Sequence, residues 1–266
     1  MVQHVHSRQN PRLRELARLI ASSRDRRKAR RCVLEGAHLC DVYCDRHGAP
    51  ETLVVVDDAA GRPEIAALIA RVPPSRVLAV PRPLFTEIAT MPPEVGVLAV
   101  VASPHLTAAP PGRFCLLLED LQDPGNVGTM LRTAAAAGVD QVVLSPHCAF
   151  AWSPKTLRAG QGAHFLTTIV EDVDLEAWSR DFRAQGGRVV ATVARDGASL
   201  YASDLAGRIA IAIGNEGSGL SAALLACADL RVTVPMAPGS ESLNAAAVAA
   251  IVLFESLRQR GSATAR

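Results

Sequence analysis

The chain has 266 residues, of which 49% are hydrophobic and 20% charged, and its formal net charge is +2 at pH 7. This length and composition suit one large or two ordinary folded domains and exclude an intrinsically disordered protein. The charged N-terminus has no apolar segment of the signal-peptide type, and the longest apolar helical run, residues 245–254, is too short to cross a bilayer. We therefore expect no membrane partner.

Six cysteines are scattered along the chain without a Cys-x-x-Cys pair. Cys40 and Cys44 are four residues apart on a predicted helix, but no second pair of metal ligands lies near them in the sequence. The pattern is typical of buried thiols in a reducing compartment. We expect a cytoplasmic protein that holds no metal.

The charge is concentrated at the N-terminal end. Residues 1–36 contain ten basic and three acidic residues, so this segment carries +7 and the rest of the chain −5. Such a distribution favours an anion-binding surface, with nucleic acid as the leading ligand, although a merely solvated arginine-rich face is the alternative. Arginine also makes the bidentate phosphate contacts that lysine cannot. The candidate RNA-binding residues are Arg24, Arg26, Arg27, Lys28, Arg30 and Arg31.

Helices and strands alternate over the first hundred residues. Apolar residues recur at helical spacing over residues 11–21, after the cap residue Asn10 and a proline. The basic stretch 24–31 then leads into a short strand at 32–34. The further predicted elements are helix 37–47, strand 52–56, helix 63–71, strand 76–80, helix 83–89 and strand 95–101. This alternation indicates a small α/β domain over residues 1–102.

A second α/β domain is predicted over residues 114–266. Residues 103–113 contain three prolines and one glycine, which is typical of an interdomain linker. Continuous apolar strands then alternate with helices, a pattern that favours a mostly parallel sheet covered by helices on both sides. The predicted elements are strand 114–118, helix 127–137, strand 141–144, helix 154–159, strand 165–170, helix 174–184, strands 188–193, 209–213 and 230–234, and helix 244–258.

The first motif, residues 123–132, reads Asp-Pro-Gly-Asn-Val-Gly-Thr-Met-Leu-Arg. We expect Asn126 to cap the helix that follows, Gly128 to leave room for another chain, and Arg132 to project from the second turn. A helix N-terminus beside an arginine is suited to a phosphodiester. The alternative is an ordinary Pro-Gly turn with a cap and a surface arginine.

The second motif, residues 214–219, follows an apolar strand and reads Gly-Asn-Glu-Gly-Ser-Gly. It lacks the Lys-Ser/Thr ending of a P-loop and the glycine order of the dinucleotide fingerprint. Glu216 would repel a pyrophosphate and suits a cationic or hydroxyl-rich ligand, or an arginine such as Arg132. The alternative is a tight strand-to-helix turn.

The third motif, residues 235–244, includes Ser242-Leu243-Asn244 and precedes a helix that carries no charge for ten residues. Such a helix is buried on most sides, and its alanines allow another helix to approach closely. An interface with a second subunit and a central helix of a monomer both fit this pattern.

In this order, the three motifs resemble those of the SpoU/TrmH-type RNA 2′-O-ribose methyltransferases of the SPOUT superfamily. Residues 10–36 are similar to the N-terminal substrate-binding domain of this family. Residues 155–163 follow another family segment, with Gly160 where a serine is often found. The resemblance covers nearly the whole chain and is greatest to the bacterial branch that methylates 23S ribosomal RNA.

The resemblance implies an α/β-knot fold for the C-terminal domain, in which the chain forms a deep trefoil knot. It also implies that the knot loops bind S-adenosylmethionine. It further implies a homodimer, in which the motif-one arginine of one subunit often acts in the site of the other. The implied cofactor-binding residues are Gly214, Val234, Leu243, Ile213 and Met236. The implied functional set for transfer to a ribose 2′-hydroxyl is Arg132, Ser242 and Asn244, supported by Asn126 and Glu216.

Because arginine is essentially always protonated, we interpret Arg132 as orienting the target phosphate or ribose and not as a simple base. Three other functions are alternatives to 23S rRNA methylation. A tRNA 2′-O-methyltransferase is disfavoured by the separate basic N-terminal domain, and a non-catalytic ribosome-assembly factor by the intact motif residues. A nucleotide-dependent oxidoreductase lacks the fingerprint glycines and their acidic partner.

Overall fold

The computed structural model describes residues 2–104, 106–239 and 242–264, which form two compact units. The first unit contains the described residues up to 104 together with residues 152–165. The second contains residues 106–151 and the described residues from 166 onwards. The segment 152–165 therefore groups with the N-terminal residues, whereas the sequence pattern assigns it to the region 114–266.

The first unit is built on a mixed five-stranded sheet of order β1-β4-β3-β5-β2. Its strands are β1 (Gln3–His4), β2 (Arg31–Glu35), β3 (Thr52–Val56), β4 (Val77–Val80) and β5 (Val97–Ala102). Strand β5 runs antiparallel to β2 and β3, whereas β4 runs parallel to β1 and β3. The helices of this part of the chain are α1 (Pro11–Ala21), α2 (Ser23–Ala29), α3 (Ala37–His47), α4 (Pro63–Ala70) and α5 (Arg82–Ile88).

Helix α1 has the predicted bounds because both sequence signals, the cap residue and the helical spacing of apolar residues, are observed in the structure. The Asn10 side chain accepts a hydrogen bond from the Arg12 amide, and Leu13, Leu16 and Leu19 are buried. Helix α2, by contrast, occupies most of the basic stretch expected to run directly into a strand. Ser22 caps it, but six of its seven residues are polar, so the helix carries no apolar periodicity that would predict it.

The second unit is built on a seven-stranded sheet in which every pairing is parallel, with the order β10-β12-β9-β11-β6-β7-β8. Its strands are β6 (Phe114–Leu118), β7 (Gln141–Leu144), β8 (Thr168–Val170), β9 (Arg188–Thr192), β10 (Ala198–Ser199), β11 (Ile209–Ile213) and β12 (Leu230–Thr233). The later helices are α6 (Pro124–Ala136), α7 (Pro154–Gly160), α8 (Leu175–Ala184), α9 (Ala222–Ala226) and α10 (Ala245–Thr264), of which α7 packs on β2 of the first unit. The predicted α/β class with a parallel sheet is confirmed.

Strands β6 and β11 pair in register from Ile209 opposite Phe114 to Ile213 opposite Leu118, and both are completely buried. Because parallel strands end at the same edge of the sheet, the segment after β6 lies beside the segment after β11. The first and second sequence motifs are thereby brought together. The knot implied for the C-terminal part stays a prediction.

All six cysteines are free thiols, and all but the half-buried Cys148 are buried. Burial raises the pKa of the Cys115 thiol to about 12. Within the described ranges, no group of three or more histidine, cysteine or acidic side chains could hold a metal ion. No helix in the same ranges is long and apolar enough to span a membrane.

Candidate functional site

A cavity of about 540 Å³ lies at the carboxyl ends of β9, β11 and β12. Seven residues predicted for the site line it, namely Ile213, Gly214, Glu216, Val234, Met236, Ser242 and Leu243. The end of β9 also contributes Thr192 and Val193, which the motifs did not indicate. The rule that ligands bind at the carboxyl ends of parallel strands would have found them, since their strand was predicted.

Gly214 is required by the shape of the loop that follows β11. The backbone amide of Asn215 donates to the Gly219 carbonyl over 3.1 Å, and the Gly219 amide donates back over 2.9 Å. This pair folds the loop so tightly that a Cβ on Gly214 would lie 2.2 Å from the backbone carbon of Gly219. No larger residue fits at this position unless the backbone moves.

Asn126, Glu216 and Asn244 form one hydrogen-bonded chain across the three motifs. Asn126 Nδ2 donates to Glu216 Oε1 over 2.7 Å, and Asn244 Nδ2 donates to Asn126 Oδ1 over 3.2 Å. Asn244 Oδ1 in turn accepts from the Ala246 amide over 2.8 Å at the start of α10. Since a backbone amide only donates, the orientation of both asparagine amides is fixed, and Glu216 is the final acceptor.

The N-cap of α6 is Asp123, which corrects the expectation that Asn126 caps this helix. The Asp123 side chain accepts from the Asn126 amide over 2.8 Å, and Pro124 occupies the first helical position. The helix therefore begins at Pro124, three residues earlier than expected. The Asn126 side chain is thereby released from capping and contacts Glu216 instead.

Arg132 is exposed on α6 and does not line the cavity. It makes no hydrogen bond or ion pair with any residue of the described ranges. The structure thus brings Asn126, Glu216 and Asn244 together but does not bring Arg132 into the same cluster. Two residues of the third motif, Ser240 and Glu241, lie outside the described residues.

The basic residues of the first unit fall into two groups. Arg24, Lys28 and Arg30 are exposed, whereas Arg26 is buried and donates to the Leu19 and Ile20 carbonyls at the end of α1. This corrects the expectation that Arg26 faces RNA, because its guanidinium satisfies backbone carbonyls that the helix leaves without partners.

Arg31 is also engaged within the first unit, and Arg27 is half-buried. The Arg31 guanidinium lies 2.6 Å from the Glu15 carboxylate and 2.7 Å from that of Glu51. An anion at Arg31 would therefore compete with two carboxylates, which makes it a weaker RNA-binding candidate than the exposed residues.

The parallel sheet and its cavity define an α/β protein that binds a small organic ligand at the ends of its strands. The SpoU rRNA methylase family model matches residues 113–254. The chain is 31% identical over 253 residues to the 23S rRNA (guanosine(2553)-2′-O)-methyltransferase RlmP of Bacillus subtilis, an alignment that covers 95% of this chain and 98% of the relative.

Solved structures give the same result over nearly the full length. The SpoU methyltransferase AviRb from Streptomyces viridochromogenes, in complex with AdoMet, has a TM-score of 0.83 at 27% identity, with 96% of this chain and 99% of that chain covered. An rRNA methyltransferase from Sinorhizobium meliloti has a TM-score of 0.81 at 28% identity, with 97% and 98% covered. The chain belongs to the SpoU rRNA methylase family. The predicted family and the predicted enzyme class, an RNA methyltransferase, are confirmed.

Proposed function

We propose that this chain transfers a methyl group from S-adenosylmethionine to a ribose 2′-hydroxyl of 23S rRNA. The observation that carries the proposal is the cavity at the strand ends, which is lined by seven of the predicted site residues and lies beside the chain formed by Asn126, Glu216 and Asn244. The 23S rRNA specificity rests on the relative RlmP of Bacillus subtilis, which aligns with 95% of this chain. A protein that acts on 23S rRNA would work in the cytoplasm, which agrees with its free thiols.

The residues that line the cavity fit the cofactor. Ile213, Val234, Met236 and Leu243 supply apolar walls suited to an adenine ring, and Gly214 begins a loop with exposed backbone groups. The loop has neither the lysine nor the glycine order of a phosphate-binding site, which agrees with a ligand that carries no phosphate. When bound, S-adenosylmethionine supplies an electrophilic methyl group on a positively charged sulfur.

The chain's own residues mainly have to align the ribose and assist the loss of one proton. Ser242 offers a hydroxyl at the cavity wall. The exposed Arg132 is suited to hold a phosphate or the ribose through its fixed donors. Glu216 and Asn126, connected to Asn244, keep the loops of the three motifs in a defined arrangement.

A homodimer completes the proposal. One face of α10 packs on α6, whereas Phe254 and Leu257 of the same helix are 47% and 38% exposed. Two large apolar side chains exposed on the same helix support a contact with a second copy of the chain. The position of Arg132 outside the cavity lining supports its action in the site of the other subunit.

The purified protein is expected to transfer radiolabelled methyl groups to 23S rRNA from a strain that lacks this gene, but not to 23S rRNA from the parent strain, which is already modified. Mapping of ribose methylation should locate one 2′-O-methyl group. Transfer to tRNA instead would favour the tRNA enzyme, and failure to bind S-adenosylmethionine in calorimetry would favour a non-catalytic assembly factor.

Asn244→Asp is expected to impair catalysis although it preserves the helix cap. Aspartate keeps the oxygen that accepts from Ala246 but lacks the amide that donates to Asn126, so two oxygens would face each other. The hydrogen bond between Asn244 and Asn126 is exposed, so its loss costs about 0.5–1.5 kcal/mol, and kcat/KM should fall by about 2- to 10-fold.

Steady-state methyl transfer measures this effect, with Asn10→Asp as the matched control. Asn10 caps α1 in the same way, through a side-chain oxygen that accepts from the Arg12 amide, and its side chain makes no further hydrogen bond with the residues that the structure describes. Unchanged kcat/KM in Asn244→Asp would show that the orientation of the Asn126 amide does not contribute to catalysis.

A further inference from the structure

The loop after β11, residues 214–221, lines the cavity. It is hydrogen-bonded near both of its ends to Glu119 and Asp120, the two residues that follow β6. At the far end, the Glu119 carboxylate accepts from the Ser221 amide and from Ser221 Oγ, each over 2.7 Å. The Glu119 amide itself donates to the Ile213 carbonyl over 2.9 Å, which continues the β6–β11 pairing. Glu119 thus binds both sides of the loop: its amide contacts Ile213 at the end of β11, and its carboxylate contacts Ser221 directly before α9.

At the near end, Asn215 makes contacts with both of its side-chain atoms. Its Nδ2 donates to the Asp120 carbonyl over 2.8 Å. Its Oδ1 accepts from the Gly217 amide over 2.9 Å and from the Ser218 amide over 3.2 Å. The amide group therefore shapes the turn inside the loop and anchors that turn to the neighbouring strand end.

The Asp120 carbonyl, which accepts the hydrogen bond from Asn215, is itself held in place. Asp120 has a left-handed backbone with φ of 54°, a conformation that most residues avoid. Ser145 Oγ stabilises it by accepting from the Asp120 amide over 2.9 Å and donating to Asp120 Oδ1 over 2.7 Å. Such a locally unfavourable conformation persists only where its surroundings determine it, and here it aims the carbonyl at the loop.

We propose that Glu119 and Asn215 are positioning residues that hold the 214–221 loop in the shape that receives the cofactor. The proposal rests on the proposed function, since it takes the cavity as the S-adenosylmethionine site. Gly217, Ser218 and Gly219 line that cavity and are exposed, so the loop has little packing of its own to order it. Without the hydrogen bonds made by Glu119 and Asn215, the cofactor would have to order the loop as it binds, and the affinity for the cofactor would fall.

The test compares Glu119→Ala and Asn215→Asp with the wild-type protein. Glu119→Ala removes the acceptor for Ser221, and Asn215→Asp removes the donor to Asp120 while it keeps the oxygen of the turn. Both variants should bind S-adenosylmethionine about tenfold more weakly in calorimetry. The KM for the cofactor should rise in parallel, while kcat at saturating cofactor stays within about threefold of wild type.

Hydrogen exchange of the unliganded protein provides a readout that does not depend on activity. Amides of residues 214–221 should exchange faster in both variants, and Glu119→Gln should restore slow exchange because it keeps an acceptor for the Ser221 amide. Glu176→Ala is the matched control, since its carboxylate pairs only with Arg180 on the exposed side of α8 among the described residues. It should leave affinity and exchange unchanged.

The possible results separate the two proposals. A wild-type protein that does not bind S-adenosylmethionine contradicts the proposed function. A wild-type protein that binds it, with variants that bind equally well, overturns the positioning role. Weaker binding without faster loop exchange also overturns it, because the residues would then contact the cofactor directly. Should Glu119→Ala fail to fold, Asn215→Asp carries the same comparison.

Discussion

Replacement of Gly214 by alanine is expected to abolish cofactor binding while the chain still folds. The added Cβ would lie 2.2 Å from the Gly219 backbone carbon and 2.3 Å from the Leu220 nitrogen. Since backbone atoms cannot rotate away as a side chain can, the paired segment Asn215–Gly219 has to separate from β11. The wall of the cavity moves with it, because the residues of this segment line the cavity.

Calorimetric titration with S-adenosylmethionine measures the effect, and we expect a loss of at least about 100-fold in affinity, equal to ~2.7 kcal/mol. Gly61→Ala is the control, at a glycine that does not line the cavity. A Cβ there meets nothing within 4 Å, so its affinity for the cofactor should stay close to wild type. Equal affinity in the two variants would contradict the role assigned to the tight turn.

Local signals in the sequence predicted most of the sheet. The strands at Phe114–Leu118, Gln141–Leu144 and Ile209–Ile213 have the predicted bounds because each is a short run of apolar residues, with Gln141 as the one polar member. Strand β8 is shorter than predicted because Ala163–Phe165 forms a 3₁₀ turn. Helix α10 extends to Thr264, six residues beyond its predicted end at residue 258.

Where two candidate cap residues lie close together, the start of the helix was predicted less accurately than the bounds of the strands. Asp123 and Asn126 are both good caps, but proline directly follows Asp123, and proline is favoured at the first helical position. This signal was available in the sequence and identifies the observed start. Helix α2 and the buried Arg26, by contrast, depend on the carbonyls at the end of α1, which no local periodicity reveals.

The motif residues were found by resemblance, whereas their connections required the structure. Asn126 and Glu216 are 90 residues apart in the chain, and Asn244 and Asn126 are 118 apart. The sequence offers no physical signal that joins such distant side chains. The same holds for Glu119, which lies 102 residues from Ser221 and stands outside all three motifs. Long-range hydrogen bonds thus define the site, while short-range patterns define the elements that bear it.

Arg132→Ala is expected to remove methyl transfer with little change in cofactor affinity. Arg132 lies outside the cavity lining and has no partner among the residues that the structure describes, so its removal leaves the cofactor loop intact. If its guanidinium holds the RNA phosphate or ribose in place, loss of that charge-assisted contact should lower kcat/KM by about 100-fold or more. Calorimetry and single-turnover transfer measure the two quantities separately.

Thr129→Ala serves as the control on the same helix, since Thr129 is exposed and removal of its hydroxyl leaves the backbone carbonyl that accepts from Thr133 unchanged. It should retain both binding and turnover. An Arg132→Ala variant with normal turnover would refute the assigned role, because the exposed guanidinium would then be an ordinary surface charge.

Mixing the two inactive variants tests whether the site is shared between subunits. In a heterodimer of Gly214→Ala and Arg132→Ala, one site would combine an intact cofactor loop with the intact arginine of the other chain. Random reassociation gives half heterodimers with one good site in each, so about a quarter of wild-type activity should return. If Arg132 acts within its own chain, every site carries a defect and the mixture stays inactive. The return of activity therefore distinguishes the shared site from an arginine that serves its own cofactor loop.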